Sequence, residues 1–196
     1  MKFKRIIRLI VVIMGLSVGK VSAQGIALKT NALYWGTTTP NLGIEVTLAP
    51  KWTLDLSGGY NPLTFSDNKK WKHWLVQPEL RYWLCEKMGG HFCGLHIHGG
   101  QYNIGKVNTD FNLFGTDFSK LKDFRFEGWF VGAGIAYGYA WMLSKHWNLE
   151  TEIGWGYSYT SYDRYQCPEC GSKLEDGKKH HYLGPTKAAI NIVYVF

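Results

Sequence analysis

The C-terminal stretch Gly184 to Phe196, GPTKAAINIVYVF, alternates strictly. Ala188, Ile190, Ile192, Tyr194 and Phe196 share one face, while Lys187 and Asn191 sit on the other. A period of two puts successive side chains on opposite faces of a strand. A wholly apolar face opposite a polar one is the dyad of a strand between lipid and a polar lumen, so this stretch predicts the closing strand of an outer-membrane barrel.

The same dyad recurs along the chain. Leu42 to Leu48 sets Leu42, Ile44, Val46 and Leu48 against Gly43, Glu45 and Thr47. Trp52 to Tyr60 sets Trp52, Leu54, Leu56 and Tyr60 against Thr53, Asp55 and Ser57. His73 to Cys85 places Trp74, Val76, Leu80 and Tyr82 outward and Gln77, Glu79 and Arg81 inward, with Pro78 as a local weakness. In Phe92 to Tyr102, Leu95 and Ile97 oppose His96 and His98. A long strand around 128–141 alternates Trp129, Val131, Ala133, Ile135, Tyr137, Tyr139 and Trp141 with Gly128, Gly132, Gly134 and Gly138, and lumen glycines permit the coiling of a narrow barrel. Trp147 to Tyr159 sets Leu149, Ile153, Trp155 and Tyr157 against Asn148, Glu150, Glu152 and Ser158. Gly25 to Thr38 reads as a first strand whose two faces the pattern does not distinguish.

Eight strands result, joined by short turns near Pro50, Gly89 and Lys145 and by long loops over about 61–72, 104–122 and 161–183. The connection at Thr37 to Asn41 is the short exception among the loops. Short turns at one end and long loops at the other are the habit of outer-membrane barrels. The expected fold is therefore all-β, an eight-stranded antiparallel up-and-down transmembrane β-barrel. A lipocalin-like soluble barrel or a periplasmic sandwich competes, but either needs a charged exterior, and the polar face here is too sparse to coat one.

Export is written at the N-terminus. Residues 1–23 carry Lys2, Lys4, Arg5 and Arg8, then an apolar run from Leu9 to Val18, then Val21-Ser22-Ala23, the pattern of a cleaved signal peptide. The expected domains are this segment and a barrel over 24–196. The segment holds five basic residues and no acidic one, so its removal takes the net charge from +7 to +2. No basic run remains to track phosphates, which argues against a nucleic-acid partner. Mean hydropathy of −0.19 excludes a helical membrane bundle. The aromatic share of 16% exceeds what a small core needs and suits rings at two membrane interfaces.

Several constellations carry chemical interest. Glu45, Asp55, Glu79, Arg81, His96, His98, Glu150, Glu152 and Lys187 all fall on the inward face, where they form either a hydrogen-bonded plug or a general-base or metal site. Cys167-Pro168-Glu169-Cys170 followed by His180-His181 allows a local disulfide between Cys167 and Cys170, a metal site on all four residues, or free thiols. Cys85 and Cys93 flank a turn and either pair or stay free. No cofactor is expected.

Five stretches resemble a known family: KTNALYW at Lys29 to Trp35, KWTLDLSGGYNP at Lys51 to Pro62, KHWLVQPELRYW at Lys72 to Trp83, GLHIHGGQYN at Gly94 to Asn103, and GPTKAAIN at Gly184 to Asn191. They resemble the small outer-membrane barrels of Bacteroidota, of unknown function and often encoded near fimbrial genes. The resemblance implies location and fold rather than a reaction. Tyr194 and Phe196 likewise resemble the terminal signal read by barrel assembly machinery. The expected protein is a monomeric, non-enzymatic barrel in outer-membrane lipid, whose loops meet a fimbrial or other surface protein or serve envelope assembly. The alternatives are a barrel enzyme using lumen or rim His and Glu, and a metal-binding surface loop.

Overall fold

The computed structural model describes residues 25–64, 70–106, 112–113, 116–117, 122, 124–166 and 171–196. The expected signal peptide and Cys167 and Cys170 lie outside them.

Eight antiparallel strands close into one ring: β1 (Ile26–Asn31), β2 (Asn41–Ala49), β3 (Trp52–Asn61), β4 (Lys70–Trp83), β5 (Gly90–Gly105), β6 (Arg125–Met142), β7 (Trp147–Tyr165) and β8 (Lys173–Val195). Each strand pairs with its sequence neighbours, and β8 returns to β1 with Ala27 opposite Val195 and Asn31 opposite Asn191. Over the height that all eight strands share, closure leaves no row of unpaired amides, which removes the edge that an open sheet must protect. The eight expected strands and their antiparallel order are present. The short turns after β2, β4 and β6 share one end with the C-terminus, where Phe196 N donates to Ile26 O at 3.0 Å.

The strands differ from the expected ones mainly at the opposite, loop end. The first strand stops at Asn31, and Ala32–Gly36 forms a single helical turn, α1. Asn31 decides this locally: its Oδ1 accepts from Leu33 N at 3.0 Å and caps the turn, while Asn41 Oδ1 accepts from Asn31 N at 2.6 Å. Strand alternation cannot reveal such a stop, because a side chain that hydrogen-bonds the backbone competes with the ladder. The expected loop at 161–183 is mostly strand, since β7 runs to Tyr165 and β8 starts at Lys173. Charged pairs across that hairpin support it, including Arg164 to Glu175 at 3.2 Å. Within 104–122, Asn112–Leu113 pairs with Thr116–Asp117 as a small hairpin. The ring is therefore tall on its β4 to β8 side and low at β1 to β3.

Pro78 is accommodated inside β4. It keeps register with Leu56 of β3, while the ladder to β5 skips from Val76–Gly99 to Glu79–His96. A residue without an amide donor interrupts pairing on one side only.

The interior reverses the usual order of a folded protein. Glu45, Asp55, Glu79, Arg81 and Glu150 are buried, while Leu95, Ile97, Ile135 and Ile153 are each about 60% exposed on the outward face, at 62%, 59%, 64% and 62%. The buried apolar cluster is a small plug at the turn end, where Ala27, Trp83, Met88, Phe92, Ala140 and Val193 meet. Trp83 donates to Thr53 Oγ1 at 2.8 Å there, so its indole N–H is satisfied inside the plug.

Candidate functional site

The middle of the ring is filled by one ion-pair network. Arg81, from the inward face of β4, is wholly buried and touches five carboxylates. Its Nε meets Glu79 at 2.6 Å, Nη1 meets Glu45 at 3.1 Å and Glu150 at 3.0 Å, and Nη2 meets Glu152 at 2.7 Å and Asp55 at 3.0 Å. A planar guanidinium presents five donors in a fixed fork, which is why one side chain can serve so many acceptors. Its other face lies 4.5 Å from the Phe92 ring, joining the network to the apolar plug.

Two lysines complete the network. Lys29 of β1 pairs with Glu45, with Asp55 at 3.0 Å and with Glu150 at 3.1 Å. Lys187 of β8 pairs with Glu79 at 2.8 Å and Glu152 at 3.0 Å. Asn191 adds a donor to Glu150 at 2.7 Å. Six strands thus contribute to one cluster, and apart from Arg81–Glu79, which share β4, each pair ties different strands, so a slipped register would break it. Opposite charges buried together are costly to separate, so the network specifies register more than it adds net stability.

His96 lies at the upper edge of the cluster. Its Nε2 is 2.9 Å from Thr186 Oγ1 and its Nδ1 is 3.8 Å from Glu79. The order Thr, His, Glu is that of a nucleophile, a base and an orienting acid. The Glu79 contact is longer than a hydrogen bond, and both oxygens of Glu79 are held by Arg81 and Lys187. The His98 ring is tilted against His96 at 5.7 Å and Phe130 at 6.1 Å between ring centres. On the β1 to β3 side lies a small cavity of about 30 Å³ lined by residues that include Tyr34 of α1, Lys29, Asp55 and Lys187.

The loop end holds a larger cavity of about 560 Å³. Three successive cross-strand rows of β3 to β7 line it. The first row runs Tyr60, Trp74, Gln101, Trp129 and Ser161 on the outward alternation, and the third runs Lys72, Asn103, Glu127 and Asp163 on the same alternation. Trp74 Nε1 donates to Gln101 Oε1 at 3.2 Å. Asp163 accepts from Gly177 N at 2.8 Å and pairs with Lys173 at 2.7 Å. That amide bond and the ammonium hold the Asp163 carboxyl below the usual carboxylate range.

The structure brings Glu45, Asp55, Glu79, Arg81, Glu150, Glu152 and Lys187 together, with His96 beside them. His180 and His181 are neighbours on β8, opposite Thr160 and Tyr159. His181 faces outward, with Nδ1 at 2.5 Å from Tyr157 OH. Cys85 and Cys93 are both free; Cys93 registers with Tyr82 and Tyr137. Among the described residues no three His, Cys, Asp or Glu side chains converge to hold a metal ion.

Lys29 is the residue that sequence reasoning missed. The signal was present in Ala27 and Lys29 sharing a parity, but reading the strand through to Thr38 mixed them with Leu33 and Trp35, which belong to α1 and its own geometry.

A family model described as a protein of unknown function, DUF3575, matches residues 8–196. The chain belongs to the DUF3575 family. No curated protein matches the sequence. For this family member the match covers all eight strands, so the network and the cavity both lie within the family's span.

Proposed function

We propose that this DUF3575 protein is an outer-membrane β-barrel, exported by a cleaved leader at 1–23, that acts without catalysis by presenting its loop end to a surface partner. The observation that carries the reading is the inversion of burial: ion pairs inside, and exposed Leu, Ile and Val outside a closed ring. In water such a surface would be a large aggregation liability, whereas in hydrocarbon it is the stable arrangement. The aromatic positions fit as well. On β6, exposed Trp129 and Trp141 bracket Val131, Ala133 and Ile135. Twelve residues at ~3.3 Å each, tilted by roughly 40° as eight-stranded closure requires, give a height of about 30 Å, close to the hydrocarbon thickness of a bilayer. No helix among the described residues is long and apolar enough to cross a membrane, which leaves crossing by strands untouched.

The fimbrial-gene association that the resemblance implies makes a fimbrial or envelope-assembly protein the natural partner. Tyr194 and Phe196 would carry recognition by the barrel assembly machinery. Refolded in detergent, the protein is expected to migrate faster unheated than heated; a chain that stays soluble and folded without detergent refutes the location. Cross-linking in native envelopes then identifies the partner.

The Thr186 to His96 distance favours one second reading, a hydrolase of the lumen. Thr186→Val and His96→Asn would each abolish its activity toward lipid or peptide ester substrates. Barrels that show no such activity before substitution remove this reading.

A further inference from the structure

We propose that the upper edge of β8, Lys178 to Pro185, is a strand-addition site that pairs with an extended, acidic-ended segment of the surface partner. The inference rests on the loop end being where that partner docks, and it adds the mode of recognition and the chemistry of the docked segment.

The ring is not closed at every height. β8 runs from Lys173 to Val195, yet β1 lies beside it only from Asn191 to Val195. Above Asn191, the β1 side of β8 has no strand beside it among the described residues. The outward residues turn their backbone groups to that vacant side. In an antiparallel ladder one residue directs its N–H and C=O to one neighbouring strand, and the next residue directs them to the other. On β7, the carbonyls of Trp155, Tyr157 and Ser161 face β6, where they crowd the space a Cβ would take on Gly134, Gly132 and Gly128. Their cross-strand partners on β8 are Pro185, Leu183 and Lys179, with His181 on the same alternation. These four therefore take no ladder bond from β7 and offer their backbone to the open edge.

Side chains serve this edge low down and then stop. Asn31 Nδ2 donates to Ala188 O at 3.1 Å, and Ile190 N donates to Asn31 Oδ1 at 3.2 Å. Gln77 Nε2 donates to Thr186 O at 3.2 Å, Tyr182 OH donates to Pro185 O at 3.3 Å, and Pro185 has no amide to leave unpaired. Among the described residues no such side-chain bond reaches the backbone of Leu183, His181 or Lys179. The ladder to β7 is unbroken from Lys178 to Pro185, with register shifts only above and below it. Bulges and prolines are how native sheets blunt an edge, and here they frame a straight run instead of interrupting it.

Charge and direction define the occupant. Lys178 pairs with Glu175 at 2.5 Å, whereas Lys179 is exposed with no acidic partner among the described residues. Leu183, lower on the same face, is 64% exposed. An antiparallel strand in the vacant place runs as β1 does, so it meets Leu183 first, with an apolar residue, and Lys179 last, with a carboxylate. Main-chain bonds supply the affinity of such an addition, and the alternate side chains supply its specificity. A second copy does not fit. Barrels sharing one membrane carry β8 in the same sense, which excludes an antiparallel ladder, and at a two-fold contact their tilts of roughly 40° oppose, which excludes a parallel one.

The test uses the full mature chain refolded in detergent. Calorimetry and amide hydrogen exchange follow titration with a synthetic peptide of about ten residues, alternating valine and threonine, with two glutamates at its C-terminal end. Saturable binding with Kd on the order of 10 µM to 1 mM is expected, with new protection of the Lys179, His181 and Leu183 amides. His181→Pro and Leu183→Pro each remove an edge amide that bonds nothing in β7, and each should weaken binding roughly tenfold. Lys179→Glu should weaken the glutamate peptide several-fold and favour a lysine-ended one, a swap that decides the matter if the proline variants do not refold. Absence of saturable binding overturns the proposal, as do unchanged affinity in both proline variants, equal binding of a non-alternating isomer, or protection confined to other strands. Disulfide-linked dimers of Leu183→Cys in native envelopes assign the edge to a second copy and overturn it too. Photo-cross-linking groups at positions 72 and 183 in native envelopes separate the two readings. Adducts at 72 alone remove the strand site and keep the loop-end partner; adducts at neither, with the peptide still bound, do the reverse.

Discussion

Replacing Arg81 by Met is the sharpest perturbation of this fold. The substitution nearly preserves volume but leaves Glu45, Asp55, Glu79, Glu150 and Glu152 facing Lys29 and Lys187 alone. Each of the five carboxylates loses one of its two cationic contacts. Removing one partner of a buried pair costs about 3–5 kcal/mol, because the other charge stays buried without compensation. With five carboxylates on one guanidinium, the low end of that range is the floor for Arg81→Met. Lys187→Met removes contacts to Glu79 and Glu152 only, near the upper edge of the network, and is expected to cost less than Arg81→Met. Urea unfolding in vesicles, followed by loss of the fast-migrating band, measures both. Adding Glu150→Gln to Arg81→Met should recover more than about 1 kcal/mol beyond additivity, since the two groups touch. If Arg81→Met does not refold, Arg81→Lys keeps one charge without the fork and should fall between it and the native chain. An Arg81→Met barrel within about 1 kcal/mol of the native one refutes the argument that this network holds the ring in register.

Three further outcomes are expected. In Gly156→Val, a Cβ would lie 2.3 Å from Ala133 O and 2.6 Å from the Cα of Gly134, so β6 and β7 must separate, and the yield of heat-modifiable barrel should collapse. Deleting Phe196 removes its amide bond to Ile26 O and its ring contact with Tyr194 at 5.0 Å; envelope fractions should then show degraded rather than inserted protein, while accumulation at normal levels excludes a terminal assembly signal. For the β7–β8 hairpin, the Asp163 carboxyl is lower in the folded state than in the unfolded one, so its contribution is complete above the unfolded value near ~3.9 and is lost as pH falls through the folded one. Protection of the Gly177 amide against hydrogen exchange should hold above the ordinary carboxylate range and drop as pH falls below it, and Asp163→Asn should remove that pH dependence.

Much of the ring was legible in the sequence, because a period of two needs no tertiary information. Leu42 to Leu48, Trp52 to Tyr60 and Trp147 to Tyr159 each declare an apolar and a polar face, and the structure exposes the first and buries the second. The inward set from Glu45 to Lys187 followed from the same parity. What parity leaves open is where alternation ends. Asn31 caps a helical turn, so the first strand stops early and its lumen residue, Lys29, emerges only once β8 and β2 are placed on either side of it. The hairpin over 161–183 escaped for a related reason: its polar residues read as loop, yet paired charges and a ladder with two register shifts carry β7 to Tyr165 and start β8 at Lys173.

The sequence by itself determined the eight strands of the ring and, for all but the first, which face turns inward, since both depend on local chemistry at adjacent positions. Only the tertiary structure decided which inward side chains touch. Arg81 meets Glu150 across 69 positions and Lys29 meets Glu150 across 121, distances that no pattern along the chain encodes. Closure of the ring sets them: β1 must lie beside β8, and that single pairing turns scattered lysines and carboxylates into one network under a mixed aromatic and polar cavity.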